Sequence, residues 1–329
     1  MDDGAARVND GVDFFRITAQ YQILRALSEL APSAHSRKDT MSKVWLVTGT
    51  ASGLGRNIAE AVLASGDRLV ATARDPRRLE DLAEKYGDLV RTAPLDVADE
   101  KAAHQAVEVA VGEFERLDVV VNNAGYGDIA PFEQLSPERF KAVIDTNFYG
   151  VVYVTRAAIP IMRRQKSGCI LQISSVGGRL GLPGSAPYHA AKWAVGGFTE
   201  SLAQELAPFG VKVCALEPGG MRTNWGIRAH EDIPELLADY EPSVGAIVKA
   251  LKPIWGNENS DPARVAQVIL RLAASDRLPA HLLLGSDAIQ YADRAQAARA
   301  DDEQRWREIS ISTDFDSSVS IPGLRFQAA

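Results

Sequence analysis

The sequence predicts an α/β fold in which helices cover both faces of a parallel β-sheet. Seven short apolar runs with β-favouring residues recur along the chain, and nearly every gap between them has a helical pattern. Strands that alternate with helices form parallel sheets buried on both faces. The length of 329 residues would allow two domains, but α/β folds often run this long as one. The predicted strands are residues 44–48, 68–72, 89–93, 118–122, 168–174, 211–217 and 281–285.

A glycine-rich turn follows the first predicted strand. Gly49, Gly53 and Gly55 have the spacing Gly-x-x-x-Gly-x-Gly, and a helical pattern follows over residues 56–65. Glycines let the backbone turn tightly and approach a pyrophosphate, which then lies on the free N–H groups at the helix start. The spacing differs from the Gly-x-Gly-x-x-Gly of the general dinucleotide fingerprint. Taken alone, the turn fits a structural loop as well as a nucleotide site.

Tyr188 and Lys192 are four residues apart in a stretch with a helical pattern, so they share one helix face. A free tyrosine titrates near pH ~10, and a nearby cation favours its phenolate form. We therefore expect Lys192 to lower the pKa of Tyr188 towards the working range of an acid/base catalyst. Ser175, thirteen residues upstream of Tyr188, can hydrogen-bond the oxygen of a carbonyl or alcohol. An isolated Tyr-x-x-x-Lys step would more often be a surface pair.

Six motifs occur in one order, each at the end of a predicted strand or on the following helix. They are Thr48 with the glycine turn, Asn122-Asn123-Ala124-Gly125, Asn147, Ser175, Tyr188-x-x-x-Lys192 and Pro218-Gly219. Together they resemble the short-chain dehydrogenase/reductase family in its single-domain form, over roughly residues 43–223 and more loosely to residue 285. The resemblance implies a Rossmann fold, a doubly wound seven-stranded sheet over residues 41–285. The run of residues 176–188 is similar to that of steroid- and retinol-active members, and to many bacterial reductases.

The resemblance implies a catalytic tetrad of Asn147, Ser175, Tyr188 and Lys192. In reduction, the nicotinamide would deliver hydride to a carbonyl carbon, while Ser175 binds the carbonyl oxygen and Tyr188 donates the proton. Lys192 would also bond the nicotinamide ribose. Asn147 would interrupt a helix and hold a water linked to the lysine. Ser174 is the rival for the serine role, and we prefer Ser175 because its offset from Tyr188 matches the family.

The end of the second predicted strand indicates the choice of cofactor. Ala73 stands where NAD-selective relatives carry a carboxylate, and the guanidinium of Arg74 can bind a 2′-phosphate. NADP(H) is therefore favoured, and NAD(H) remains possible. Two features weigh against NADP(H). Asp75 can partly neutralise Arg74, and Ser52 stands where many NADP-selective relatives carry a second basic residue.

Other cofactor contacts follow from positions that match the family. Asp96 resembles the residue that meets the adenine amino group, and Asn123 resembles the asparagine near the adenine-side ribose, while Asn122 is expected to brace the sheet. Pro218, Gly219 and Thr223 resemble the turn that receives the nicotinamide carboxamide. Such residues are also ordinary in loops after strands. The complete predicted cofactor set is Thr48, Gly49, Ser52, Gly53, Leu54, Gly55, Arg74, Asp96, Val97, Asn123, Ala124, Gly125, Tyr188, Lys192, Pro218, Gly219 and Thr223.

Composition argues against several other classes of protein. The chain is 46% hydrophobic and 24% charged, and it has no apolar run of the ~20 residues that cross a bilayer. A net charge of −7 offers no general attraction to nucleic acid or anionic lipid. We therefore expect a cytoplasmic enzyme with no nucleic-acid or membrane partner. Cys169 and Cys214 are expected to be buried thiols, and the five histidines show no metal-ligand spacing.

Residues 220–260 are predicted to form a lid over the active site. The lid suggests a hydrophobic small carbonyl or alcohol substrate, although its apolar residues can equally serve to pack it onto the core. Those residues are Trp225, Ile227, Leu236, Leu237, Tyr240, Ile254 and Trp255. Ala186, His189 and Trp225 are further candidates to face the substrate.

Two alternative functions stay open at this point. An acyl-carrier-protein ketoreductase would need basic surface near the active-site mouth for its acidic carrier. The candidates for that surface are Arg163, Arg164, Lys166 and Arg179. A non-catalytic NADP(H)-sensing protein would keep the fold, but such proteins typically lose the tyrosine or the lysine.

The two ends of the chain fall outside the predicted catalytic domain. Residues 1–40 are expected to be a flexible or non-native extension, with Met41 as the natural start, although residues 14–30 can form an amphipathic helix. Residues 286–329 are expected to form a long polar helix, to about residue 308, and a tail. The resemblance implies a homodimer or homotetramer formed through the helices that carry Asn147 and Tyr188.

Overall fold

A computed structural model describes residues 42–224, 226, 229 and 233–315. Met41 and the candidate helix at residues 14–30 lie outside these ranges, as does the tail from residue 316. The chain forms one seven-stranded sheet in the order β3-β2-β1-β4-β5-β6-β7. Every neighbouring pair of strands is parallel. The predicted doubly wound α/β fold is confirmed.

The seven strands lie where the sequence predicts them. Each observed end is within one residue of the expected end, because the apolar runs correspond to strands buried on both faces. The strands are β1 (Val44–Val47), β2 (Arg68–Ala73), β3 (Val90–Pro94), β4 (Val119–Asn122), β5 (Gly168–Ile173), β6 (Val211–Pro218) and β7 (His281–Leu284).

Helices lie on both faces of this sheet. The α-helices of the described residues are α1 (Gly53–Ala64), α2 (Glu80–Tyr86), α3 (Glu100–Phe114), α4 (Pro137–Ile144), α5 (Gly150–Gln165), α6 (Ala186–Leu206), α7 (Ala246–Leu251), α8 (Pro262–Ala274) and α9 (Ser286–Ile311). Side chains of α1, α2 and α8 pack in one buried cluster with Trp45 and Val47. Side chains of α3, α5 and α6 pack in a second cluster with Val44 and Leu46. Alternate residues of β1 therefore serve opposite cores.

The direction of chain progression across the sheet reverses between β1 and β4. Val47 pairs with Ala71 of β2 on one side and with Val121 of β4 on the other. In open parallel sheets, the crevice at such a reversal, outside the carboxyl ends of the strands, is the usual ligand site. The segments after β1, β4, β5 and β6 carry the predicted motifs, so the fold brings them to one edge.

The polar helix expected after residue 285 is present as α9 and runs to Ile311. Only Ala288 and Ala292 of this helix are buried. Cys169 and Cys214 are buried thiols without a disulfide, as expected. Within the described ranges, no helix is both long and apolar enough to cross a membrane. The cytoplasmic location and the domain boundaries stay predictions.

Candidate active site

The glycine turn closes tightly between β1 and α1. Gly49 and Gly53 have φ angles of +72° and +59°, in the left-handed region that favours glycine. A Cβ at Gly55 would overlap the carbonyl oxygen of Gly49 and would lie 2.5 Å from Nδ2 of Asn123. The Ser52 side chain makes no capping bond to the first N–H groups of α1. The backbone therefore offers the turn and the helix N-terminus that suit a pyrophosphate.

Thr48 joins the end of β1 to the end of β4. Its buried hydroxyl accepts hydrogen bonds from the N–H groups of Asn123 and Ala124, each at 2.9 Å. In return, Nδ2 of Asn123 donates to the carbonyl oxygen of Thr48 at 2.8 Å. Leu54 is buried behind the turn. These bonds brace the crevice wall, so Thr48 and Asn123 have a positioning task within the protein.

Asn122 braces the centre of the sheet, as the sequence suggests. Its Nδ2 donates to Oε1 of Gln172 at 2.7 Å and to Oγ1 of Thr155 at 3.0 Å. All three side chains are buried. Buried polar groups need such partners, so this cluster ties β4, β5 and α5 together.

Asn147 interrupts a helix, as the resemblance implies. A π-helical turn over Asp145–Tyr149 separates α4 from α5. The buried Nδ2 of Asn147 donates to the carbonyl oxygens of Tyr126 (2.7 Å) and Val143 (2.9 Å). Such π-turns occur mostly as single bulges and often at functional sites. The interruption thus holds Nδ2 of Asn147 on two backbone carbonyl groups and leaves Oδ1 for the site.

Oδ1 of that amide and Nζ of Lys192 both border Gly125. A Cβ at Gly125 would lie 2.6 Å from Oδ1 of Asn147 and 3.6 Å from Nζ of Lys192. Among the described residues, that Oδ1 is buried and has no hydrogen-bond partner. A buried acceptor without a partner is costly, and a water can satisfy it. The geometry therefore fits the predicted link between Asn147 and Lys192.

Lys192 is almost fully buried beneath Tyr188. The lysine is 4% exposed, its Nζ donates to the carbonyl oxygen of Ile173 at 2.8 Å, and Nζ lies 5.6 Å from the centroid of the Tyr188 ring. Burial lowers the pKa of Lys192 to about 8. The four-residue spacing on α6 does bring the two side chains together.

The expected direction of the Tyr188 pKa shift is wrong. Burial raises the pKa of this phenol above its ordinary value of 10.0, and a hydrogen bond with the Ser175 side chain opposes that effect. Removal of water from the phenol outweighs the effect of that hydrogen bond, so the net shift of the pKa is upward. Tyr188 therefore keeps its proton at neutral pH.

The structure favours Ser175 over Ser174 for the serine role. Ser175 shares a hydrogen bond with Tyr188, and its Oγ accepts from the N–H of Gly177 at 3.0 Å. Ser174 is buried and directs its hydroxyl to the carbonyl oxygen of Lys192 at 3.4 Å. The two serines therefore point to different partners: Ser175 bonds with the phenol and Ser174 with the backbone of α6.

His189 lies on α6 and is hydrogen-bonded to the loop that carries Ser175. Its Nδ1 lies 2.8 Å from the carbonyl oxygen of Gly177, and its Nε2 accepts from the N–H of Leu182 at 3.2 Å. Both ring nitrogens are thus occupied, and His189 holds the loop rather than a substrate. Ala186 is exposed at the start of α6. Trp225 lies outside the described residues.

Arg74 is exposed just beyond β2 and makes no hydrogen bond or ion pair with any other described residue. The carboxylate of Asp75 is directed to a different arginine. Asp75 instead accepts two hydrogen bonds from the Arg77 side chain, at 2.9 and 2.8 Å, and one from the Arg77 N–H at 3.1 Å. This local turn leaves the Arg74 guanidinium available for a phosphate.

Two residues of the predicted cofactor set, Asp96 and Val97, follow β3. Asp96 is exposed, and its Oδ1 accepts from the N–H of Ala98 at 3.1 Å. Val97 is buried against Gly150, where a Cβ would lie 2.6 Å from Cγ2 of Val97. Asp96 is thus held at the rim of the crevice, while Val97 anchors the segment on α5.

The turn after β6 is held by Asp287, a residue that the sequence analysis missed. Oδ2 of Asp287 accepts from the N–H of Gly220 at 2.7 Å, and a Cβ at Gly219 would overlap this carboxylate. The N–H of Gly219 donates to the carbonyl oxygen of Leu284. An acidic residue in the first turn of α9 was the available signal. Thr223 lies close to Gly53, where a Cβ would be 3.6 Å from Cβ of Thr223.

The lid packs on its own apolar cluster and is fastened by Gln134. Nε2 of Gln134 donates to the carbonyl oxygen of Glu235 at 2.8 Å, and its Oε1 accepts from the N–H of Leu237 at 3.2 Å. The cluster comprises Ile129, Ala229 and Val244, with Ile233, Leu236, Tyr240, Val248 and Trp255 packed against it. Packing therefore explains part of the apolar lid. Trp225 and Ile227 lie outside the described residues.

Residues 43–233 match the family model described as short chain dehydrogenase. "Oxidoreductase BOA17" of Botryotinia fuckeliana is 44% identical over 83% of this chain and 100% of its own length. "3-ketodihydrosphingosine reductase" of Bacteroides thetaiotaomicron is 34% identical over 74% of this chain and 88% of its own.

Solved structures share the fold. A short-chain dehydrogenase from Streptomyces avermitilis has a TM-score of 0.76 and 34% identity over 84% of this chain and 100% of its own. A 3-ketoacyl-(acyl-carrier-protein) reductase from Brucella melitensis, complexed with NADH, has a TM-score of 0.61 and 28% identity, with coverage of 74% and 96%. A gluconate 5-dehydrogenase from Burkholderia cenocepacia, in complex with NADP and tartrate, has a TM-score of 0.64 and 25% identity, with coverage of 76% and 96%. The chain therefore belongs to the short-chain dehydrogenase/reductase family, as a single-domain oxidoreductase.

Proposed function

We propose that this oxidoreductase interconverts a carbonyl and a secondary alcohol by hydride transfer, with NADP(H) as the preferred dinucleotide and Tyr188 as the general acid/base. One observation carries the proposal. Tyr188 shares a hydrogen bond with Ser175 directly above the buried Lys192, at the carboxyl edge of the sheet. A proton donor, an oxygen-binding hydroxyl and a cation therefore converge on one point, as proton transfer to a carbonyl oxygen requires.

The residues at this edge fit a dinucleotide. A Cβ at Gly55 would overlap the Gly49 carbonyl oxygen, so the turn stays narrow enough for a backbone cradle. The glycine turn would hold the pyrophosphate, Asp96 the adenine, and Pro218 with Gly219 the carboxamide. When bound, the nicotinamide supplies or accepts the hydride.

Arg74 supports the preference for NADP(H). Its exposed guanidinium stands at the end of β2, and Asp75 is committed to Arg77. Ala73 offers no carboxylate that would repel a 2′-phosphate. A planar guanidinium binds phosphate well, so this end of the crevice favours the phosphorylated cofactor.

The protonation states of the tetrad suit reduction at neutral pH. Burial raises the pKa of Tyr188, so the phenol holds the proton that a ketone oxygen needs. Lys192, with a pKa of about 8, is mostly charged at neutral pH and stabilises the phenolate left after transfer. Ser175 holds the carbonyl oxygen beside the phenol. Asn147, through its buried Oδ1, would hold the water that returns a proton to this chain of groups.

A small hydrophobic substrate fits the lid best. Leu237 and Ile254 are exposed at 51% and 40%, outside the packed cluster of the lid. The relative from Bacteroides thetaiotaomicron is named a 3-ketodihydrosphingosine reductase. Both points support a substrate with apolar surface next to its carbonyl.

An acyl-carrier-protein ketoreductase is the second candidate, since the Brucella melitensis structure is named for that activity. The basic residues expected at the mouth do not support it. Arg163 and Arg164 end α5 and Lys166 follows, so all three precede β5 at the amino edge of the sheet, opposite the site. Arg179 is paired with Glu217. These four residues therefore do not form the basic rim that would attract an acidic carrier protein.

A non-catalytic dinucleotide sensor is the third candidate. Tyr188, Lys192 and Ser175 are all in contact geometry, which a sensor has no reason to keep. The site geometry thus favours catalysis over sensing.

Oxidation of NADPH by the purified protein tests these proposals. The assay covers hydrophobic ketones, aldehydes, steroids and acyl thioesters, free and on an acyl carrier protein, with NADH in parallel. We expect turnover of a hydrophobic ketone, at higher kcat/KM with NADPH. Turnover of carrier-bound thioesters alone would establish the ketoreductase. NADPH binding without turnover across the panel would establish the sensor.

We further propose that the chain forms a homodimer or homotetramer through α5 and α6. Tyr149 and Trp193, next to and within these helices, are 43% and 46% exposed. Exposed aromatic residues of this size commonly mark protein interfaces. Light scattering of the full chain reports the number of protomers.

A further inference from the structure

Glu217 is a buried carboxylate at the carboxyl end of β6. It is 1% exposed, although its neighbours Leu216 and Pro218 are apolar and buried as well. A carboxylate in such a place is costly unless it is paired and hydrogen-bonded. The fold therefore has to supply partners for Glu217, and it does so from two different segments.

The first partner is Arg179, from the loop that carries Ser175. Nε of Arg179 donates to both carboxylate oxygens of Glu217 at 3.0 Å. Arg179 directly follows the short 3₁₀ turn Val176–Gly178, and Ser175 is the N-cap of that turn. In this segment, the N–H of Gly178 donates to the carbonyl oxygen of Ser175 at 2.8 Å. The N–H of Arg179 donates to the carbonyl oxygen of Val176. The carboxylate thus holds Arg179, at the far end of a five-residue segment whose near end is Ser175.

The second partner is His281 of β7, which in turn contacts the helix that carries Tyr188. Nδ1 of His281 lies 2.7 Å from Oε1 of Glu217, and its Nε2 lies 2.8 Å from Oε1 of Glu200 on α6. Glu217 is therefore connected to the serine loop on one side and to the tyrosine helix on the other.

The backbone of Glu217 adds a third connection. Pro218 and Gly219 follow it directly and form the turn proposed to receive the nicotinamide carboxamide. The serine loop, the tyrosine helix and this turn are the three parts whose relative placement sets the distance between a hydride, a carbonyl carbon and a proton. One carboxylate contacts or adjoins all three.

We propose that Glu217 is a positioning residue, which fixes the serine loop against the nicotinamide turn through Arg179 and against the tyrosine helix through His281. This inference rests on the proposed function. The side-chain contacts of Glu217 run to Arg179 and His281, so it acts through these partners and not on the substrate.

The test uses Glu217→Gln in the full-length protein, which keeps the shape of the side chain and removes its charge. We expect kcat to fall about tenfold or more while the Kd for NADPH changes less than about threefold, because displacement of reacting groups by ~1 Å can cost ~10²-fold in rate without loss of binding contacts. Arg179→Met should give a similar fall. The double variant should be no worse than the poorer single variant, because residues that act as one unit are not additive.

Asp118→Asn is the matched control. Asp118 is also a poorly exposed carboxylate paired with an arginine, Arg116, at 2.7 and 2.9 Å. It precedes β4 at the amino edge of the sheet, away from the site. This variant should lower thermal stability and leave kcat within about twofold of wild type, since only geometry at the site governs the rate. If Glu217→Gln behaves like Asp118→Asn, with lower stability and an unchanged kcat, Glu217 is merely structural and the inference fails.

Two further readouts keep the outcome decisive. If Glu217→Gln does not fold, Arg179→Met decides, because Arg179 is 35% exposed in its side chain and its loss leaves no large cavity.

The fluorescence of bound NADPH separates this inference from the proposed function. A wild-type protein that binds NADPH and turns nothing over refutes the function. Changed emission of the bound nicotinamide in Glu217→Gln would still support the positioning role, and unchanged emission would refute it.

Discussion

The ammonium of Lys192 donates a hydrogen bond of 2.8 Å to the carbonyl oxygen of Ile173. Ile173 is the last residue of β5, and Ser174 and Ser175 follow it directly. One strand end therefore places both the lysine and the serine. Because Tyr188 lies one turn before Lys192 on α6, the same bond also sets the height of the phenol above the sheet.

The pKa of Lys192 predicts how the reaction depends on pH. Burial lowers this pKa to about 8, so the charged form is lost as the pH rises through that value. We expect kcat/KM for ketone reduction to fall above about pH 8, because the neutral amine no longer stabilises the phenolate of Tyr188. Lys192→Met should be slower and should lack this limb of the profile. A wild-type profile that stays flat between about pH 7 and about pH 10 would contradict the assignment.

Gly55→Ala should abolish cofactor binding. The added Cβ would overlap the carbonyl oxygen of Gly49 and would lie 2.5 Å from the Asn123 amide nitrogen, so the turn must open. We expect the Kd for NADPH, measured by fluorescence titration, to rise by at least about 10²-fold as the backbone cradle is lost.

Gly112→Ala is the control for that change. Gly112 lies within α3, and nothing stands within 4 Å of its Cβ position. Alanine there should stabilise the protein by about 0.5–1 kcal/mol and leave the Kd unchanged. Equal cofactor affinity in Gly55→Ala and Gly112→Ala would remove the glycine turn from the binding site.

Arg74→Ala should separate the two dinucleotides. The exposed guanidinium has no described partner that competes for it, since Asp75 bonds with Arg77. We expect KM for NADPH to rise by about tenfold or more, because a charge-assisted hydrogen bond to phosphate is worth about 1.5–3 kcal/mol, while KM for NADH barely changes. Arg307→Ala, an exposed arginine of α9, should change neither value. Equal effects of Arg74→Ala on both cofactors would refute the preference for NADP(H).

Stability should fall as the pH rises through the pKa of His281. The hydrogen bond with Glu217 raises that pKa above the ordinary 6.5, burial opposes the shift, and the charge of Glu217 adds to it. Arg179 lowers the pKa, and Glu200 raises it from the side of α6. The folded state binds the His281 proton more tightly than the unfolded state does. The stabilisation that protonated His281 provides is therefore fully present below about pH 6.5, and it is lost as the pH rises through the raised pKa of the folded state.

Urea unfolding of wild type and His281→Asn at a series of pH values checks this prediction. The asparagine keeps a hydrogen-bond donor and cannot titrate. The difference in unfolding free energy between the two proteins should therefore shrink as the pH rises. A difference that stays constant with pH would show that His281 does not titrate in the folded protein.

The sequence predicted the sheet because strand formation depends on local pattern, whereas the tetrad came from the resemblance to a known family. Strands buried on both faces appear as apolar runs, so β1 and β5 could be placed to within one residue. The order of the motifs then determined which strand ends meet, and a four-residue helical step brought Tyr188 onto Lys192.

The errors concern properties that arise only from tertiary packing. The pKa of Tyr188 depends on how much water the fold removes, which spacing alone does not tell. Asp75 accepts hydrogen bonds from Arg77, because a tight turn places both the N–H and the side chain of Arg77 next to its carboxylate. Glu217 was read as part of an apolar strand, and its partners come from segments more than 30 residues away.

Turnover by Tyr188→Phe, with a ketone that the wild-type protein reduces, tests the acid/base role most directly. The substitution removes the hydroxyl that bonds with Ser175 and keeps the ring above Lys192. We predict that kcat falls by ~10²-fold or more while the Kd for NADPH stays near that of wild type, because only proton transfer is lost. A kcat near the wild-type value would contradict the proposed mechanism.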